Sequence, residues 1–224
     1  MDQNPSWKDA FRRVVPSAVL YERGVILRLG NTAGRLYAQM RVLDWLGFRR
    51  MNAATASSSA RNIVFVCFGN IMRSPMAEAM LRDTAKSTGF TGLQISSAGL
   101  HAVPGKAAHP WAVAAAEELG LSLDRHRAQL ITTEVVENAD AIFTMDFQNK
   151  AEMITRFPTA KNKILMLSSY AEGQERYREI IDPYFGDLDA TRRCFKVIRA
   201  CVFNLTSALS AHDQKQSFDS DVPR

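Results

Sequence analysis

The chain is poor in cysteine, with three residues of that type among 224. This small, odd number excludes a disulfide-built scaffold and favours a reducing compartment, so we expect a cytoplasmic protein. No apolar run reaches the roughly 20 residues of a membrane-spanning helix. The longest candidate, Val14 to Leu29, is interrupted by proline, glycine and charged residues. His101, His109 and His126 lack metal-ligand spacing, so we predict no metal site and interpret them as surface or loop residues.

An excess of basic charge is confined to the N-terminal part of the chain. Residues 1–61 carry a net charge of +6, whereas the remaining residues carry −1, which gives +5 overall. The longer part has no basic excess to neutralise nucleic-acid phosphates, which argues against nucleic-acid binding. Apolar residues make up 46% of the chain and charged residues 23%, as in a globular protein with an apolar core.

Small and polar residues divide the chain. Residues 52–60 have the composition of a linker. We therefore predict a basic, amphipathic, helical extension at 1–51 and a linker at 52–60. A folded domain, expected to carry the activity, follows at 61–211, and a disordered tail at 212–224.

Two helices are predicted in the extension. A short one covers Trp7–Val15, Pro16 breaks it, and an amphipathic one covers roughly Thr32–Phe48. Such a helix either packs on the domain or a partner, or docks on an acidic surface or an anionic, peripheral membrane surface. We favour packing, because basic amphipathic helices are not specific signals.

From Arg61 onward, strands and helices alternate. This pattern predicts an α/β domain with a four-stranded, parallel, doubly wound sheet and flanking helices. The predicted strands cover 62–67, 93–97, 139–145 and 163–167, and the predicted helices cover 75–87, 107–119, 147–156 and 189–209. Ligands bind such sheets at the carboxyl ends of the strands, and Cys67 ends the first strand.

The turn after the first strand, Cys67 to Pro75, has the sequence C-F-G-N-I-M-R-S-P. Backbone N–H groups of such a turn and the following helix N-terminus form an anion site, and Pro75 suits the first helical position. Arg73 adds a planar, two-pronged donor suited to a phosphoryl group. The same positive potential favours the thiolate form of Cys67, and Ser74 is placed to donate to it.

Gly69 and Asn70 accept the left-handed backbone that a tight anion loop needs. A simpler interpretation makes Cys67 a buried thiol at a strand end. That interpretation leaves Gly69, Asn70, Arg73 and Ser74 without a joint explanation, so the anion loop is favoured.

The string C-F-G-N-I-M-R-S-P strongly resembles the signature of low-molecular-weight protein tyrosine phosphatases, usually C-x-G-N-I-C-R-S-P. The resemblance covers nearly all of residues 62–211 and extends to Ser97-Ala98-Gly99-Leu100 and Thr144-Met145-Asp146, with bacterial exopolysaccharide-type members nearest. It implies the phosphatase fold, Cys67 as nucleophile, Arg73 as transition-state clamp and no metal or organic cofactor. The phosphate-binding loop implied comprises Phe68, Gly69, Asn70, Ile71, Met72 and Ser74. Ser97 is implied to help hold Asn70, although a strand-end hydroxyl bonded to backbone is an equal alternative.

Asp182-Pro183-Tyr184 precedes the last predicted helix. An Asp-Pro pair is by itself a turn signal. Its place resembles the family's general-acid loop, so Asp182 is expected to protonate the leaving oxygen and then to activate water. Tyr184 and Phe185 are expected to line one side of the cleft. Phe68 is expected either to line the opposite side or to pack on the apolar flank of the loop.

The resemblance implies a protein-tyrosine-phosphatase whose partner is a phosphotyrosine-bearing protein, such as a bacterial tyrosine kinase. Arginine-phosphate phosphatases of the family carry threonine at the position of Ile71, which favours phosphotyrosine here. Met72 replaces the usual second cysteine.

One alternative function is an arsenate reductase of the same fold. It is disfavoured because Cys194 and Cys201 follow Asp182 in the chain rather than precede it. The other is a phosphoprotein-binding regulatory module.

Overall fold

The computed structural model describes residues 17–48 and 54–220, with side chains for 19–48 and 54–210. The predicted helix at Trp7–Val15 and the break at Pro16 lie outside the described residues.

A four-stranded parallel sheet organises the domain, which confirms the predicted α/β class. Its strands are β1 (Asn62–Cys67), β2 (Gln94–Gly99), β3 (Ala141–Thr144) and β4 (Ile164–Met166). Their order across the sheet is β2-β1-β3-β4, and every neighbouring pair is parallel. All four carboxyl ends therefore lie at one edge, where the turn that follows Cys67 begins.

Both faces of the sheet are covered by helices, as a doubly wound fold requires. Side chains of β1 alternate, with Phe65 in one core and Val64 and Val66 in the other. The first core packs against α2 (Arg73–Ser87), α3 (Pro110–Glu117) and α6 (Leu188–Ser220), and the second against α4 (Thr133–Asn138) and α5 (Phe147–Arg156). Short 3-10 helices cover Pro158–Lys163, Leu167–Tyr170 and Gly173–Glu175.

Several predicted helix bounds are wrong. Helix α2 begins at Arg73, so Pro75 lies within its first turn, because the loop after Cys67 runs directly into the helix. Helix α3 is shorter than predicted, since Pro110 begins it and the His109 ring accepts the N–H of Trp111 at 3.2 Å. Helix α4 was not predicted. Helix α6 continues to Ser220, so the predicted disordered tail is helical over 212–220.

The N-terminal extension forms a helical hairpin, α1 (Ser17–Trp45), which reverses at Gly30, where φ is 74° and ψ is −172°. Its second arm, 31–45, corresponds to the predicted helix at Thr32–Phe48, whereas the first arm, 17–29, was not predicted. The arms pack closely, because a Cβ at Gly34 would lie 2.6 Å from the carbonyl oxygen of Ile26.

The hairpin packs on the domain, as the sequence favoured. Its buried side chains form an apolar cluster with residues of α5 and β4; the members are Val25, Ala33, Tyr37, Met40, Phe147, Ala151 and Met166. Across the described ranges, no helix has the combination of length and apolarity needed to cross a membrane.

Candidate active site

The loop after β1 closes around the sulfur of Cys67. This thiol is buried, and Asn70 donates its backbone N–H to Sγ at 3.3 Å. The Ser74 hydroxyl lies 3.0 Å from Sγ. The sulfur therefore lies between a backbone N–H and a hydroxyl, directly before the N-terminus of α2.

Asn70 holds the loop in shape. It has left-handed backbone, with φ of 51°, and its side-chain amide donates to the hydroxyls of Ser74 and Ser97, both at 2.9 Å. Its Oδ1 accepts the N–H of Gln129 at 2.8 Å. Gly99 passes so close that a Cβ there would lie 2.8 Å from the Asn70 nitrogen. The expected contact between Ser97 and Asn70 is present.

The guanidinium of Arg73 is buried and bonded on two sides. Nη1 donates to Asp146 Oδ2 at 2.6 Å and to the carbonyl of Ile180 at 3.0 Å, and Nη2 donates to Asp182. Burial opposes the charge, but Asp146 and Asp182 outweigh it and raise the pKa of Arg73 above its ordinary value. Arg73 is therefore a fixed cation.

The loop that carries Asp182 reaches the phosphate loop from the other side. Asp182 Oδ1 accepts the Tyr184 N–H at 3.1 Å. The Tyr184 ring contacts His109 edge-on at 5.7 Å and Phe185 at 5.0 Å between centroids. His109 donates its backbone N–H to the Ile71 carbonyl at 2.9 Å, so the segment before α3 contacts both the phosphate loop and the Tyr184 ring.

These loops enclose a cleft of about 630 Å³. Cys67 and Arg73 lie in it with Phe68, which stacks on His101 at 4.5 Å between centroids. The remaining sequence-predicted residues that line the cleft are Gly69, Ile71, Met72, Asp182, Tyr184 and Phe185. Asn70, Ser74 and Ser97 support the loop from behind.

The interpretation of three histidines as surface or loop residues missed their contacts. All lie in loops, but His101 and His109 pack on cleft residues, and His126 Nε2 lies 2.7 Å from the Asn70 carbonyl. Asp146 was also missed as a partner of Arg73. Two sequence signals pointed to this residue: it lies two positions after the end of β3, at the same sheet edge as Cys67, and it belongs to the stretch Thr144-Met145-Asp146 that resembles the family.

The N-terminal extension contributes residues to this site. No feature of the sequence predicted that contribution. Arg41 of α1 pairs with Glu179 at 2.7 Å, three residues before Asp182, and with Glu22 across the hairpin. Glu179 also accepts the Phe147 N–H at 2.9 Å, at the start of α5. Burial raises the pKa of Glu179 to about 7, and Arg41 opposes that rise.

Removing Arg41 should destabilise the fold more at higher pH. The pKa of Glu179 in the folded protein, about 7, lies above the unfolded value of about 4.3. Protonation of Glu179 therefore stabilises the fold fully below a pH of about 4.3, and this stabilisation is lost as the pH rises to about 7. Arg41→Met should raise this pKa further and extend the loss above pH 7. We expect a deficit of about 1–3 kcal/mol on the alkaline side, measured by thermal unfolding.

Two variants control this measurement. Arg35→Met removes an exposed arginine of the same arm and should change stability little. Glu179→Gln should abolish the pH dependence of the Arg41→Met deficit. A deficit that is constant between acid and alkaline conditions would contradict the prediction.

Cys194 and Cys201 lie in the core on α6. Burial raises the pKa of each thiol to about 12, so both are protonated at neutral pH. Such thiols are poor nucleophiles for a redox relay. In the part of the chain with described side chains, no cluster of three histidine, cysteine or carboxylate residues could hold a metal ion.

Comparisons with known proteins agree with this geometry. Residues 62–215 match the family model "Low molecular weight phosphotyrosine protein phosphatase". A probable low molecular weight protein-tyrosine-phosphatase, EpsP of Ralstonia nicotianae, is 35% identical over 62% of this chain and 89% of its own length. A protein-arginine-phosphatase of Bacillus subtilis is 35% identical over 57% of this chain and 83% of its own length.

Among solved structures, a YwlE mutant from Bacillus subtilis superposes with a TM-score of 0.62 at 31% identity, over 67% of this chain and 99% of that one. The family match covers more than half of the chain and includes the loop around Cys67, the Arg73 clamp and the loop bearing Asp182. The chain therefore belongs to the low molecular weight phosphotyrosine protein phosphatase family.

Proposed function

We propose that this enzyme hydrolyses phosphotyrosine in proteins through a cysteinyl-phosphate on Cys67. The observation that carries the proposal is the convergence of a thiol, a buried guanidinium and a carboxylate in one cleft. These are the nucleophile, the charge clamp and the proton donor that phosphoryl transfer to sulfur requires.

In the first step the Cys67 thiolate attacks phosphorus, the Sγ–P bond forms and the P–O bond to the tyrosine ring breaks. Asp182, as the carboxylic acid, gives its proton to the leaving phenolic oxygen. Loop N–H groups and Arg73 bind the equatorial oxygens, whose charge they stabilise in the transition state.

Arg73 and Asp182 exchange partners in this step. Asp182 pairs with Nη2 of Arg73, the donor that a phosphoryl oxygen needs. A bound phosphoryl group takes that place, and the carboxyl group turns to the leaving oxygen. Nη1 stays on Asp146 and on the Ile180 carbonyl, which fixes the guanidinium plane.

In the second step Asp182, now a carboxylate, removes a proton from water, which attacks phosphorus. The Sγ–P bond breaks, inorganic phosphate leaves and the Cys67 thiolate is restored. Ser74, 3.0 Å from Sγ, stabilises the thiolate as leaving group.

The cleft walls support an aryl rather than a guanidinium substrate. Ile71, Phe68 and Tyr184 give an apolar, aromatic lining on which a phenyl ring can stack. Of the carboxylates near the loop, Asp146 stays on Arg73, and Asp182 acts as the acid on the leaving oxygen. Phosphotyrosine therefore fits this cleft better than phosphoarginine.

The partner we propose is a phosphotyrosine-bearing protein of the cytoplasm, such as a bacterial tyrosine kinase linked to exopolysaccharide export. The name of one relative supports the phosphotyrosine part of this choice, since EpsP of Ralstonia nicotianae is a probable protein-tyrosine-phosphatase. Reductase activity is disfavoured by the buried, protonated Cys194 and Cys201. A purely binding role does not need a carboxyl group at the mouth of the anion loop, where Asp182 competes with a bound anion for Arg73.

The test compares one peptide carrying phosphotyrosine, phosphoserine or phosphoarginine at the same position, with a metal chelator present. We expect hydrolysis of the phosphotyrosine form, and acid quenching should trap a phosphoryl group on the Cys67 peptide by mass spectrometry. Faster hydrolysis of phosphoarginine, or loss of activity with chelator, would refute the proposal.

A further inference from the structure

The cleft has a wall that lies outside the family match, which begins at residue 62. Tyr21 and Arg28 of the first arm of α1 line it, together with Tyr37 and Arg41 of the second arm. The hairpin is held there by its apolar cluster on α5 and by the pair between Arg41 and Glu179. A substrate that fills the cleft therefore contacts side chains of α1.

The charges of the cleft are distributed unevenly. Its carboxylates are Asp146, Glu179 and Asp182, and each is paired with Arg73 or Arg41. The other two cations of the lining are Arg28 and Lys106, both exposed. Within the ranges whose side chains are described, neither has an ion-pair partner. The mouth of the cleft therefore presents two uncompensated positive charges from two separate elements.

Large, exposed apolar side chains line the same cleft as these two cations. Tyr21, Val103, Ile181 and Phe185 line the cleft and are more than half exposed, with Phe185 at 96%. Several large, exposed apolar side chains around one cleft, with polar neighbours, are typical of a surface that contacts another protein.

We propose that Arg28 and Lys106 form a second recognition site, which selects phosphotyrosine flanked by acidic residues in a protein substrate. This inference rests on the proposed function. The phosphoryl group binds the loop at Cys67, and aspartate or glutamate side chains beside it pair with the two cations at the mouth. Charge complementarity of this kind selects a partner and speeds its association.

The test uses two phosphotyrosyl peptides that differ only in glutamate or glutamine at the flanking positions. We expect the wild-type kcat/KM to favour the glutamate peptide, with a preference that shrinks as salt is added. Arg28→Gln and Lys106→Gln should each reduce the preference by about two- to fivefold, and Arg28→Glu should reduce it further. Arg35→Gln, on an exposed part of the same hairpin outside the cleft, should leave it unchanged.

The outcomes separate this inference from the proposed function. Hydrolysis of both peptides at equal rates would overturn the recognition site and leave the phosphatase intact. Hydrolysis of neither would refute the proposed function itself. If Arg28→Gln kept the peptide preference but lost binding to phosphatidylserine vesicles, Arg28 would serve a membrane surface and the inference would fall.

Discussion

Cys67→Ser should lose turnover of aryl phosphates by about 10⁴-fold or more while it still binds inorganic phosphate. Serine preserves the contacts to Ser74 and to the Asn70 N–H, but its hydroxyl stays protonated where a thiol ionises. The loop amides and Arg73 remain in place to bind the anion. Initial rates give the first quantity, and calorimetric titration with phosphate gives the second.

Cys201→Ala is the matched control, because it removes a buried thiol far along α6 that the mechanism does not use. It should cost some stability through a small cavity but keep kcat. Residual hydrolysis by Cys67→Ser within a hundredfold of wild type would indicate a different nucleophile and contradict the mechanism.

Asp182→Asn should slow hydrolysis of phenyl phosphate by about 10²–10³-fold, but that of a nitrophenyl ester by less than about tenfold. Phenolate is a poor leaving group and needs a proton from Asp182, whereas nitrophenolate leaves without one. The amide keeps the shape of the side chain and an oxygen for Arg73, so the clamp is retained. The slope of log kcat against leaving-group acidity is the measurement.

Asp146→Asn provides the comparison, since Asp146 also binds Arg73 but belongs to the other side of the guanidinium. Its effect should be similar for both esters, because it acts on the clamp and not on the leaving oxygen. Equal leaving-group slopes for wild type and Asp182→Asn would rule out Asp182 as the acid.

Local features of the sequence predicted the centre of the site. Strand β1 and helix α5 have the predicted bounds, and the residues between Cys67 and Ser74 are contiguous, so one strand, one turn and one helix position them all. The bounds of β3 were less accurate. Asp140 accepts the N–H groups of Arg61 and Asn62 at 2.8 Å, so the ladder between β1 and β3 begins only at Ala141 rather than at residue 139.

Contacts between distant segments were not predictable. Arg41 reaches Glu179 only because the chain reverses at Gly30 and the hairpin then packs on α5. Nothing local distinguishes Arg41 from the other arginines of the extension. His126 likewise meets Asn70 through the fold of the loop after α3, which has no periodic pattern.

Asn70 shows why the twenty amino acids are not interchangeable at such a position. Glycine could adopt its backbone but would leave the hydroxyls of Ser74 and Ser97 and the amide of Gln129 without this partner. Aspartate could accept from Gln129, yet it would add a negative charge beside the sulfur and could not donate. An asparagine alone combines tolerance of positive φ with a donor and an acceptor on one short side chain, so conformation and chemistry impose the same choice.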